Sequence, residues 1–356
     1  MIPGIDINLF FLVPLGLAVG TLSGFVGVGG GFVITPTLIT LGFPANYAVG
    51  TSLAWVMGNS IIGTLRHRQL GNVDMKLGAL MMIFMMGGVE IGVRLLNWTK
   101  GLGLVDAAVL SVLICILFIV GLSMFREAIN TKAKLDTVID SQVISSEEIS
   151  SADVGAFLLA RRIKGINIPP MMHFAQSGVT ISLWFLLIIG LFTGILSGFI
   201  GVGGGFIMVP SLIYLIGVPS FMAVGTDLFQ IVFSAAFGSI RHTLSGNVII
   251  FAAFIMLLGS SIGTQFGALV TRYLRGIAMR YILASTIVVA FLGSILELVG
   301  ILSGGVVPWL QTAVIVVIFG GLGIITATII GLFIAANLYR NGLRIPRWIE
   351  SLLAYD

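Results

Sequence analysis

The sequence predicts an all-α integral membrane protein made by internal duplication. Its two repeats are read as inverted, each interrupted by a glycine-broken or re-entrant segment, with one extra C-terminal helix. Three observations carry this expectation. Hydrophobic residues make up 58% of the chain and charged residues only 9%, against roughly 25% charged in a soluble domain. Apolar runs long enough to cross a hydrocarbon core of about 30 Å recur from one end to the other. Finally, Ser23-Gly24-Phe25-Val26-Gly27-Val28-Gly29-Gly30-Gly31-Phe32 returns as Ser197-Gly198-Phe199-Ile200-Gly201-Val202-Gly203-Gly204-Gly205-Phe206, with Ile200 for Val26 the single change.

The elements follow in order. An apolar segment at 9–26 runs into the first glycine run, where helical backbone is given up. A short segment at 31–42 contains Pro36, and helices are expected at 46–65, 77–97 and 104–125. The second half repeats this with 181–200, a short 205–217 containing Pro210, then 221–240, 248–271 and 281–300. A last apolar stretch at 308–339 has no counterpart. Between the halves lies the long polar region 126–178, with Lys132, Lys134, Asp136, Asp140 and Ser145-Ser146-Glu147-Glu148. Its composition reads as a cytoplasmic linker, partly disordered or weakly helical. The chain thus divides into a first repeat (1–125), the linker (126–178), a second repeat (179–300) and a C-terminal helix with its tail (301–356).

The duplication extends beyond the glycines. Ala48-Val49-Gly50-Thr51 matches Ala223-Val224-Gly225-Thr226, Arg66-His67 matches Arg241-His242, and Gly71-Asn72-Val73 matches Gly246-Asn247-Val248. Gly88 and Gly92, a spacing that lets helix backbones approach in lipid, match Gly263 and Gly267. The basic residues orient the repeats. With an odd number of crossings per half, 15 of the 18 lysines and arginines fall on one side, and only Arg94, Lys100 and Arg241 on the other. An even number would divide them 10 to 8. Cytoplasmic loops are the Lys/Arg-rich ones, so the 15-to-3 division favours inverted repeats with the N-terminus outside and the C-terminus inside.

Composition also excludes classes of function. The formal charge of +4 is spread over segment ends, not gathered on one face, so nucleic acid is not an expected partner. Cys115 is the one cysteine, and His67, His173 and His242 are scattered, so neither a disulfide framework, a metal site nor a cofactor is expected. No basic residue occurs before Arg66, which argues against a cleaved signal peptide. The glycine runs are not dinucleotide or phosphate loops: no acidic residue follows at the required distance, and no lysine closes either run. No enzymatic constellation stands out.

A glycine break once per half points to the binding site of a duplicated transporter. Freed N–H and C=O groups at membrane depth must face protein, water or a solute. The candidate binding residues are Gly27, Gly29, Gly30 and Gly31 with Gly201, Gly203, Gly204 and Gly205. A short helix starting just after each break would turn its N-terminal N–H groups toward it, which suits an anion. The plainer alternative is that these glycines serve only tight helix crossing. On the helix at 46–65, Ser52, Trp55, Asn59 and Arg66 lie within about 60° of one face, and Asp227, Gln230, Ser234 and Arg241 lie on the equivalent face of 221–240. Thr51 and Thr226 join Ser52, Asn59, Asp227 and Gln230 as candidates, against a reading in which such groups only bond neighbouring helices. Asp227 stands where the first repeat has Ser52, and a carboxylate in lipid is costly enough to be functional by default. It is expected to carry a proton with the anion, or to take a cation that offsets its charge, unless it is held in a permanent structural pair. Arg66-His67 and Arg241-His242 fall one at each mouth, as gating or anion-attracting groups or as interfacial anchors. Glu90 and Arg94, four apart, are expected to pair, and Glu297 to lie at an interface.

On the glycine-run motifs with Pro36 and Pro210, and on the Ala48–Thr51 and Ala223–Thr226 copies, the chain resembles the sulfite exporter TauE/SafE family, grouped with toluene-sulfonate uptake permeases. The resemblance spans nearly everything except 126–178 and the last apolar segment. It implies a multi-pass carrier in a plasma or cell inner membrane. Its substrates would be small sulfur-containing oxyanions or organosulfonates such as sulfite or sulfoacetate, with an ion gradient (proton or sodium) or the anion's own gradient as the driving force. The lipid bilayer is then its first partner, and a homodimer is compatible with it. A passive anion channel using the same breaks is the alternative.

Overall fold

A computed structural model describes residues 9–140, 168–274, 276–303, 308–341, Pro346 and Leu352. A short 3-10 turn, Leu9–Phe11, leads into α1 (Leu12–Val26). Then come α2 (Gly31–Thr40), α3 (Ala45–Gln69), α4 (Met75–Gly101) and α5 (Val105–Asp140). A hairpin of β1 (Met171–Phe174) and β2 (Val179–Ser182) precedes α6 (Leu183–Ile200), α7 (Gly205–Pro210), α8 (Ser220–Leu244), α9 (Ile250–Val270) and α10 (Gly276–Leu302). The last apolar stretch is α11 (Pro308–Ile315), a π-helical turn Val316–Gly320, and α12 (Gly321–Arg340). Among the described residues, eight helical stretches are long and apolar enough to cross a membrane. The all-α membrane fold read from composition is therefore what the chain adopts.

The helices pair across the two halves. Gly16, Gly20 and Gly24 of α1 face Met256, Ser260 and Thr264 of α9, in the same order along both helices. Gly259, Gly263 and Gly267 answer from α9 against Val13, Leu17 and Thr21. A methyl group on any of these glycines would strike the partner's backbone, so the two helices lie in direct main-chain contact. The same arrangement joins α4 and α6, where Gly88 meets Gly194, Gly92 meets Gly198, and Gly190 packs on Met81 and Phe84. Dispersion between backbones is the attraction available in lipid, where there is no hydrophobic drive between apolar helices. The central pair runs the other way: Gly63 of α3 meets Leu228 of α8, and Gly238 of α8 meets Leu53 of α3.

Two parts of the 126–178 region form regular elements, the helical one among the expected alternatives and the hairpin not, and residues 141–167 lie outside the described residues. From Arg126 to Asp140 the chain continues α5 without a break; no glycine or proline interrupts this stretch, and its Ala, Lys, Glu and Leu favour helix. Residues 171–182 form an antiparallel hairpin, with Phe174 opposite Val179 and Met172 opposite Ile181. The alternation of Phe174, Val179 and Ile181 with Thr180 and His173 buries the first three and leaves the other two outward. Asp74 fastens this hairpin to the bundle. Its Oδ2 accepts from Ser177 N (3.1 Å) and Ser177 Oγ (2.6 Å), while its Oδ1 caps α4 by accepting from Leu77 N (3.0 Å).

Candidate substrate site at the glycine breaks

Helix α1 stops at Gly27, whose φ of 77° is left-handed and whose N–H closes on Ser23 O at 2.7 Å. Helix α6 stops in the same way at Gly201, with φ 78° and a bond to Ser197 O at 2.9 Å. The short helices α2 and α7 then begin, and no side chain caps either N-terminus. Pro36 and Pro210 lack the N–H that would bond the carbonyl four residues back, so each short helix is weakened within its first turns.

The two breaks lie against each other in the middle of the bundle. Gly31 is crowded by Gly201 O and Val202, and Gly205 by Val28, in reciprocal fashion. Phe32 and Phe206, the residues that follow, stack with ring centres 5.7 Å apart. Val56 and Ile231, equivalent positions on α3 and α8, lie beside both Gly29 and Gly203. All of this is buried. The contacts that the glycines make show that they serve close packing as well as the turn itself.

The polar stripe divides into three groups. Ser52, Asp227, Gln230 and Trp55 are the side chains at the breaks. Ser52 Oγ donates to Gly201 O at 2.9 Å. Asp227 Oδ1 accepts from Gln230 Nε2 at 2.6 Å, and Asp227 Oδ2 lies over Gly205. The Trp55 ring packs on Gly30. Thr51 and Thr226 turn elsewhere: their hydroxyls accept from Ile249 N and Asp74 N, both at 2.9 Å, fastening the loops ahead of α9 and α4. Asn59 bridges α1 and α9, donating to Ser23 Oγ at 2.8 Å and accepting from Thr264 Oγ1. Its equivalent Ser234 bonds within its own helix.

Within each Arg-His pair the histidine is buried and the arginine is not. His67 and His242 are fully buried, and each ring Nε2 sits 2.9 Å from a main-chain oxygen, Gly24 O and Gly198 O respectively. These carbonyls belong to the last turn of α1 and α6. Adjacent helical positions point about 100° apart, so the histidines turn inward while the arginines turn out. Arg66 Nη1 donates to Gln69 at 3.0 Å on the surface. Arg241 makes a two-pronged pair with Glu90, at 2.6 and 2.8 Å, and Arg94 adds a third bond to the same carboxylate at 2.8 Å. The Glu90–Arg94 pair was legible from spacing; its partner on α8 was not. Glu297 accepts from Thr40 Oγ1 at 2.8 Å. Sequence reasoning also passed over Asp74, although Asp74-Met75-Lys76-Leu77 is an N-cap pattern that would have found it.

Fold and site together define a multi-pass α-helical membrane protein whose halves meet at paired helix breaks. The profile of the family described as "Sulfite exporter TauE/SafE" matches residues 12–294, and the chain belongs to that family. It is similar to the "Probable membrane transporter protein YunE" of Bacillus subtilis, 28% identical over 74% of this chain and 89% of the relative. The "Probable membrane transporter protein YjnA" of the same organism is 26% identical over 78% of this chain and 96% of its own length. A third relative, "Probable membrane transporter protein MJ0441" of Methanocaldococcus jannaschii, is 26% identical over 60% of this chain and 66% of its own length. No solved structure gives a significant match.

Proposed function

We propose that this protein is a secondary transporter of small sulfur-containing oxyanions or organosulfonates, sulfite or sulfoacetate among them. It works in the plasma or inner membrane and binds the anion at the paired glycine breaks. The observation that carries this reading is the meeting of two uncapped helix starts, Gly31 and Gly205, at one buried place. First-turn N–H groups and the positive end of a helix dipole are an anion-binding arrangement. The four binding glycines of each run lie at that place, and so do Ser52, Asp227 and Gln230. Thr51, Thr226 and Asn59 shape it from outside, by holding the loops and α1 in position.

The halves are taken as inverted repeats. Antiparallel α3 and α8, the reciprocal contacts of the two breaks and the 15-to-3 distribution of basic residues all support this. Transport then proceeds by alternating access: the breaks and the stacked Phe32 and Phe206 that follow them are buried, which favours a carrier over an open channel. In this cycle His67 and His242 hold the ends of α1 and α6 to α3 and α8, while Arg66 and Arg241, in the last turns of α3 and α8, are the anion-attracting charges. Flux of sulfite, thiosulfate, sulfate and sulfoacetate into proteoliposomes tests the reading. Saturable uptake of a sulfur anion, accelerated by exchange against the same anion inside, is expected. Uptake that rises linearly with concentration and ignores internal anion would mark a channel.

A further inference from the structure

The two halves match closely around the breaks, and at one position they differ in charge. In the first half Ser52 supplies a hydroxyl that donates to Gly201 O at 2.9 Å. In the second half the same position is Asp227, a carboxylate that is fully buried. Its Oδ1 receives the Gln230 amide, and its Oδ2 has no hydrogen-bond partner in the protein. The amide N–H that Gln230 gives to Asp227 leaves Gln230 Oε1 as an acceptor, and that oxygen too is buried and unpartnered. Two neighbouring side chains therefore present two buried, unpartnered oxygens. Asp227 Oδ2 and the main chain of Val28 crowd the same face of Gly205, just past the end of α1. The end of a broken helix carries partial negative charge and is where transporters of this general architecture ligate cations.

We propose that Asp227 Oδ2 and Gln230 Oε1, with main-chain oxygen at the α1–α2 break, form a binding site for one Na⁺ ion that travels with the anion. A proton on Oδ2, donating to Gln230 Oε1, is the rival occupant of the same place, and the test below separates it from an ion. An ion bonds both oxygens at once. One carboxylate balances a single positive charge, which selects a monovalent ion over Ca²⁺ or Mg²⁺. The first half holds no such ion, because the Ser52 hydroxyl already satisfies its carbonyl; the duplication yields one cation site and not two. With the ion in place, an incoming anion meets a neutral carboxylate–cation pair instead of a bare negative charge, and neither solute binds well without the other. This gives symport its thermodynamic coupling.

The inference rests on the breaks being the substrate site, so the test reads the cation alone. Purified protein in nanodiscs, without any sulfur anion and at fixed pH, is melted in choline chloride and in NaCl. A saturating, Na⁺-specific rise in melting temperature is expected, since ligand at about 100 times its Kd stabilises the fold by about 2.7 kcal/mol. Asp227→Asn should abolish the rise, and Gln230→Leu, which keeps the carboxylate, should weaken Na⁺ several-fold against choline. Direct ²²Na⁺ binding to the wild type stands in where a variant does not fold. A wild type that binds no Na⁺, a rise equal in choline or KCl, or one that survives both substitutions overturns the proposal. So does a stability that follows pH and ignores Na⁺, which would make the carboxyl a proton carrier. Sulfite flux that proceeds equally without Na⁺ overturns the cation site and leaves the transporter; Na⁺ binding without flux of any sulfur anion keeps the cation site and removes the substrate reading.

Discussion

Gly29 and Gly71 make a matched pair for asking whether solute approaches the break. Both are left-handed, with φ of 71° and 76°. Adding a methyl group costs each roughly 1–2 kcal/mol of backbone strain. They differ in what the methyl meets. At Gly71 there is nothing within 4 Å, whereas at Gly29 the new carbon lies 3.3 Å from Val56 and 3.4 Å from Ile231, contacts that side-chain adjustment of a few tenths of an ångström relieves. Gly29→Ala and Gly71→Ala should therefore lose similar stability, measured by melting in nanodiscs, and both should accumulate in the membrane. In sulfite uptake they should part company. Gly71→Ala keeps wild-type rates, while Gly29→Ala, which narrows the space between the breaks, falls at least about tenfold, the equivalent of about 1.4 kcal/mol in the transition state. Gly31→Ala is the contrasting case: its methyl would lie 2.7 Å from the main chain of Gly201 and Val202, so this variant should fail to accumulate. Were Gly29→Ala to transport as well as Gly71→Ala, the glycines would serve packing and turning alone, and the solute would bind elsewhere.

Three further outcomes follow from the same structure. In a Cys115→Ser background, Leu244→Cys should react with an impermeant thiol reagent from outside intact cells and Gln69→Cys, at the equivalent end of α3, only after permeabilisation; reaction of both from one side would undo the inverted arrangement. His67→Phe leaves Gly24 O buried without its bond and should destabilise the protein by about 1–3 kcal/mol, with partial recovery in His67→Gln; a Phe variant that melts like the wild type would show that the clamp contributes nothing. For Glu90→Ala and Arg241→Ala, a double-mutant cycle should give a coupling of about 1 kcal/mol or less that shrinks in high salt, because both side chains are partly exposed. A salt-independent coupling of several kcal/mol would mean that the pair is sealed from water.

Most of the fold was legible because a membrane imposes lengths: apolar runs and their glycine breaks place the helices within a few residues, except that α5 runs on to Asp140 where the apolar run ends near 125. The duplication supplied the candidate site, since the same breaks and the same stripe occur twice. What escaped was everything that depends on distance along the chain. Nothing near Arg241 in sequence announces Glu90, 151 residues away. Thr51 and Thr226 sit on the right helices beside the right glycines, yet their hydroxyls cap loops of the opposite half, because neighbouring helical positions face different directions. The hairpin at 171–182 is short and lies beside a polar stretch, so its alternation was outweighed by the composition around it.

The glycine stripes have a consequence for how the chain is made. α1 emerges first, but the surface it must touch belongs to α9, some 240 residues later, and α4 must likewise wait for α6. Until then the small-residue faces of α1 and α4, with the buried Thr21 and Ser23, stand open to lipid or to the insertion machinery. Assembly is dominated by partners remote in sequence, which makes it slow and exposes intermediates to misassembly. Substitutions on these faces should therefore be seen first as lost protein, cleared during biogenesis, well before they are seen as altered transport by the molecules that survive.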